Sequence, residues 1–138
     1  MDRRELSEEF AEIAAAVIEE EELLIDIRNS QASIVYLTSD AKKQSNGKSV
    51  CAQCEKVPDK YKWSIPADFT ITVFLPNIEG FSDEQKKILM FHELLHVGIE
   101  FNSDGSESYF VRPHNYEDFK VIIDRYGTDW SKVDGIED

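Results

Sequence analysis

The sequence predicts an α+β fold, a small and mostly antiparallel sheet packed on a central apolar helix, with helices at the N- and C-terminal ends. Three patterns carry this reading. Between Leu6 and about Ile27, Phe10, Ile13, Ala14, Val17, Ile18 and Leu24 recur at helical spacing among glutamates. Phe69-Thr70-Ile71-Thr72-Val73-Phe74-Leu75 is a β-branched and aromatic run ended by Pro76-Asn77, which reads as a strand. From Ile88 to Phe101 the chain is apolar on nearly every side, as expected of a helix through the middle of a domain. A length of 138 residues with 41% apolar content suits one core, so residues 1–138 are expected to form one domain.

The remaining elements follow in order. Ser33-Ile34-Val35-Tyr36-Leu37 reads as a strand, and Asn46-Gly47 within the polar stretch 41–48 as a hairpin turn. Ser49 to Val57 is a second strand, and Pro58 and Pro66 bracket a loop carrying Tyr61 and Trp63. Ser82 is placed to cap the central helix, with Gln85 completing a reciprocal capping box and Asp83 and Glu84 favourably set in the first turn. A loop at 102–106, a short strand at Tyr109–Val111 and a helix from Tyr116 to Tyr126, stopped by Gly127, complete the chain. The fold class is that of segregated helices covering one side of a small sheet.

Charge and composition exclude several classes of function. The apolar run around Ala14–Ile18 is short and meets Glu19-Glu20-Glu21-Glu22, unlike a signal peptide or a membrane span. The chain therefore reads as soluble and cytoplasmic, where Cys51 and Cys54 stay reduced. A net charge of −13 opposes general binding to nucleic acid. Lys42, Lys43, Lys48, Lys56, Lys60 and Lys62 make the middle basic, which reads as a solvated mixed-charge surface.

The chemistry sits in Phe91-His92-Glu93-Leu94-Leu95-His96, an H-E-x-x-H sequence. Four residues along a helix return to nearly the same face about 6 Å further on. Two imidazoles so spaced converge on one zinc ion with bonds of about 2.0–2.1 Å. Glu93 projects from the neighbouring face, near the metal without ligating it, and suits a general base that takes a proton from metal-activated water. At average residue usage the spelling arises by chance in roughly a few chains per thousand of this length. Burying two histidines and a glutamate in the most apolar segment also carries a cost that a metal site offsets.

A catalytic zinc takes three protein ligands. The chain has three histidines, and His114 in Arg112-Pro113-His114 is the candidate third ligand, with Glu117, Asp118 and Glu107 as alternatives. The longer metalloprotease pattern fails: Gly98 comes too early, and Asn102 stands where a third His belongs. Gly98 reads instead as a packing contact with the sheet. Tyr109, Arg112 and Tyr116 are candidates to stabilise an oxyanion. Cys51-Ala52-Gln53-Cys54 lacks the second pair of a four-cysteine zinc site, and within a strand the two would face opposite sides, so both read as unpaired thiols.

The segments Cys54-Glu55-Lys56-Val57 through Trp63, Asp68-Phe69-Thr70-Ile71, Leu89 to Val97, and His114-Asn115-Tyr116-Glu117-Asp118-Phe119 together resemble the putative phage metallopeptidase family, small zinc-dependent hydrolase-like proteins of phages and prophages. The resemblance runs over roughly residues 30 to 130. It implies a minimal zincin-like core holding one zinc ion, with peptidase activity. It also implies His92, His96 and His114 as ligands and Glu93 as general base. The family usually reads His-Asp where this chain has His114-Asn115, so one carboxylate that would orient the imidazole is missing.

The expectation is thus a zincin-like hydrolase of peptide or protein substrates, with Phe69–Leu75 offering a free strand edge to an extended peptide. Two rivals stand beside it: a phage-type binding or regulatory protein that holds zinc with little turnover, and a nucleic-acid-processing partner using the basic middle.

Overall fold

The computed structural model describes residues 2–113, 119–127 and 129–131. The chain opens with a short strand, β1 (Arg4–Leu6), where a helix was expected to begin. Ser7 then caps α1 (Glu8–Glu20), its hydroxyl accepting from the Phe10 amide at 3.1 Å. The helix predicted to reach Ile27 stops at Glu20. Glu21 is extended (φ −98°, ψ 117°), and a 3-10 turn at Glu22–Leu24 leads into α2 (Ile25–Asn29). The run of four glutamates explains the break, because negative charge at a helix C-terminus opposes the dipole and α1 has no basic residue in its last turn. Arg28 supplies that cation from α2, donating to the carbonyls of Ile18 (3.2 Å) and Glu19 (2.7 Å).

Next come β2 (Ile34–Ser39), the two-residue strands β3 (Gln44–Ser45) and β4 (Lys48–Ser49), β5 (Ala52–Lys56) and β6 (Phe69–Phe74). Asn46 and Gly47 join β3 to β4 with φ of 53° and 76°, the left-handed pair that a two-residue hairpin turn requires. The main sheet is mixed, in the order β1-β2-β6-β5, with β2 and β6 parallel and the other two pairings antiparallel. The expected free edge on Phe69–Leu75 is therefore corrected: β6 lies between β2 and β5. Its composition fits a central strand, since Phe69, Ile71, Thr72, Val73 and Phe74 are all fully buried. Ile71 and Val73 share a core with Phe10, Ala14 and Val17 of α1 and with Leu89, Met90 and Leu94 of the next helix. The Arg4 guanidinium donates to Thr72 Oγ1 (3.2 Å) and sits 5.9 Å over the Phe74 ring.

That helix, α3 (Asp83–Leu95), begins with the full capping box: Ser82 Oγ accepts from the Gln85 amide, and Gln85 Oε1 accepts from the Ser82 amide. It ends six residues earlier in the sequence than the predicted Phe101. His96 closes it, and Val97–Phe101 forms β7, paired antiparallel with β8 (Glu107–Val111) from Val97↔Val111 to Phe101↔Glu107. Val97 and Ile99 are β-branched and buried, so cross-strand pairing wins over helix continuation. Gly98 lies opposite Phe110, whose ring fills the space a Cβ would take (2.3–2.6 Å away). Its nearest neighbour is thus the hairpin partner. The last helix, α4 (Lys120–Tyr126), stops at Gly127 (φ 76°), whose amide donates to Ile123 O at 2.9 Å. Its expected start at Tyr116 lies outside the described residues. No helix among the described residues is long and apolar enough to cross a membrane.

Candidate metal centre

His92 and Glu93 occupy the last turn of α3, and His96 is its C-cap, still in helical conformation (φ −72°, ψ −21°). The spacing of four does what the sequence predicts: the two imidazoles face each other with ring centroids 5.3 Å apart. One ligand atom from each of His92, Glu93 and His96 lies within 4.8 Å of the others. At that spacing the two imidazoles could share one metal ion with Glu93 beside it. Glu93 is 4% exposed, and its Oε2 lies 3.6 Å from His92 Nε2. A divalent cation at the imidazoles would place positive charge beside this buried carboxylate. The donor set of imidazole nitrogen and carboxylate oxygen suits such a metal.

The C-terminal part of the chain closes around this pair. After β8, the Arg112 amide donates to His96 O at 2.6 Å, and Arg112 O lies 2.6 Å from His96 Nδ1. The Phe119 ring packs edge-on against His96 (4.8 Å between centroids) and His92 (5.5 Å). Trp130 lies 6.0 Å from His92, its carbonyl held by Gln85 Nε2 at 3.0 Å. The sequence marks Phe119 only as part of a segment that carries the family resemblance, and marks neither Trp130 nor the Arg112 main chain. A main-chain acceptor leaves no letter in a sequence, and these aromatics follow no helical or strand period.

Of the third-ligand candidates, His114, Glu117 and Asp118 lie outside the described residues. Glu107 is at the far end of the β7–β8 hairpin, four pairs from Val97 and so about 13 Å along the strand. There its carboxylate accepts from the Gln31 amide and the Tyr109 hydroxyl. Tyr109 is thereby engaged with Glu107, and Arg112 Nη1 donates to Leu95 O (3.3 Å); Tyr116 lies outside the described residues. Cys51 and Cys54 are free, and both border the same core, because Cys51 precedes β5 and escapes its alternation. Burial, reinforced by the Glu93 charge, pushes the Cys51 thiol up to about 11 and raises Cys54 as well. Among the described residues neither joins the His–Glu–His group.

No curated protein and no solved structure matches the chain. A family model does match, over residues 2–135, taking in the sheet, α3 and the segment that carries His114. With its H-E-x-x-H side chains gathered at the end of a buried helix and that match spanning nearly the whole sequence, the chain belongs to the putative phage metallopeptidase family.

Proposed function

We propose that this protein is a zinc-dependent metallopeptidase, a minimal zincin-like domain over residues 1–138 that acts on peptides in the cytoplasm of a phage's host. The observation that carries the reading is the gathering of His92, Glu93 and His96 within 4.8 Å at the end of α3. The family's description points the same way. In this reading His92, His96 and His114 hold the ion and Glu93 does not. His114 is favoured because the chain on either side of it is pinned at the site: Arg112 is hydrogen-bonded to His96 and Phe119 packs on both imidazoles.

When bound, zinc supplies a Lewis acid that polarises the scissile carbonyl and makes water a stronger acid. Glu93, buried beside the imidazoles, takes the proton from the attacking water at a carboxylate oxygen and returns it to the leaving amine. The apolar surroundings exclude bulk water and strengthen that transfer. β5, at the sheet edge and packed against α3, takes the place of β6 as the strand along which an extended peptide would lie.

The test is Glu93→Gln. The variant is expected to retain one zinc per chain by elemental analysis and to lose cleavage across a broad peptide library. Loss of zinc would refute the assignment of Glu93 as base. A second reading, a zinc-holding protein with little turnover, draws on the cover of Phe119 and Trp130 over the imidazoles. One zinc per wild-type chain with no cleavage of any peptide would favour it.

A further inference from the structure

We propose that the β7–β8 hairpin is the positioning device of the metal centre: the Arg112 carbonyl fixes His96 in one tautomer, and the fit of Phe110 over Gly98 holds that carbonyl in place. This rests on the reading of His96 as a ligand. The register Val97↔Val111 makes His96 and Arg112 the next facing pair of the ladder. In an antiparallel ladder every second facing pair exchanges two main-chain hydrogen bonds, and the Arg112 amide marks this pair as one of them. One is present, from the Arg112 amide to His96 O at 2.6 Å. The other has no main-chain donor, because the His96 amide is turned back into α3 and donates to Glu93 O (3.1 Å). The imidazole takes its place, with Nδ1 2.6 Å from Arg112 O.

A carbonyl oxygen carries no hydrogen, so that contact requires the proton on Nδ1. A neutral imidazole has only one N–H, and Nε2 is therefore left with a lone pair, the form that could ligate a metal. The helix-to-strand switch at His96 thus lets one residue end α3, extend the hairpin and present a pre-set ligand nitrogen.

The ladder also explains Gly98. A Cβ there would lie 2.3–2.6 Å from three atoms of the Phe110 ring, and Phe110 is on β8, two residues before Arg112. Any side chain at position 98 displaces the ring or the strand that carries the Arg112 carbonyl. Gly98 and Phe110 are positioning residues that act through Arg112 on His96.

The experiment uses the full chain, metal-free and labelled with nitrogen-15 at histidine, at a pH where the imidazoles are neutral. Long-range proton–nitrogen spectra are expected to show His96 protonated at Nδ1 only. In Gly98→Ala the spectra are expected to show mixed tautomers, with zinc affinity in chelator competition lowered about 10- to 100-fold. Phe110→Ala, which removes the ring while keeping Gly98, should shift both in the same direction, because the fit is lost from the other side. A wild-type His96 protonated at Nε2 would overturn the proposal, and this measurement holds even if Gly98→Ala fails to fold. A folded Gly98→Ala with wild-type tautomer and affinity would overturn it too. A protein with His96 fixed as proposed but no peptide cleavage would instead count against the peptidase reading alone.

Discussion

At the scale of single residues, Cys51 and Cys54 border the core near enough to Glu93 to feel its charge, yet stand apart from the ligand group. Thiolate is the reactive form, so thiols raised by burial should be inert at neutral pH. Ellman's reagent at pH 8 is expected to react slowly with the native protein and to titrate both thiols promptly in denaturant. Replacing both with Ala should leave zinc at one per chain, and a fall in bound metal would show that a thiol takes part. The His–Glu–His group was legible from the sequence because its geometry is local: helical spacing alone brings the three side chains together. The Arg112 carbonyl, Phe119 and Trp130 reach the site through tertiary structure, and no local pattern announces them.

Among the elements, the start of α3 was easier to read than its end. The Ser82–Gln85 capping box formed as its spelling predicts, whereas α3 ended at Leu95 and not Phe101. A continuous apolar run fits a buried helix or a buried strand equally well by composition, and the pairing with β8 decides between them. Ser82→Ala should lower stability by about 1 kcal/mol in urea unfolding, with an unchanged m-value. Asp68 makes a pH-dependent contribution at the start of β6. It accepts from the Ser33 amide at 2.9 Å, tying the entries of β2 and β6 together, and it pairs with Lys62 at 3.1 Å. Burial pushes its carboxyl up, but the Ser33 amide and the Lys62 ammonium outweigh that and hold it below the usual 3.8. A depressed carboxylate stabilises the fold fully above its unfolded pKa, and that stability is lost as pH falls through the folded value. Asp68→Asn should therefore be less stable than wild type at pH 7, with the difference shrinking below pH 4. A difference that stays constant between pH 7 and pH 3 would remove Asp68 from this role.

For the whole molecule, the decisive question is what joins α3 to the C-terminal segment. Ion pairs tie α1 to α3 through Lys86–Glu9 (2.8 Å) and Lys87–Glu20 (2.7 Å), and Glu21, just past α1, to α4 through Arg125 (2.8 Å). Exposed pairs of this kind contribute only about 0–1 kcal/mol each. A zinc ion held by His92, His96 and His114 would be a stronger link, because it binds the folded chain and not the unfolded one. At free zinc about 1,000 times the dissociation constant, that linkage is worth about 4 kcal/mol, or roughly 15 °C in melting temperature for a chain of this size. Calorimetry should show a rise of that order on adding zinc to metal-free protein, reversed by a chelator. In His114→Ala the same zinc concentration should give only a small rise, and chelator competition should show affinity lower by orders of magnitude. The metal-free melting temperatures of the two proteins should differ little, since the link is absent from both. A full zinc-dependent rise in His114→Ala would move the third ligand to Glu117 or Asp118, because Glu107 is held at the far end of the hairpin by Gln31 and Tyr109.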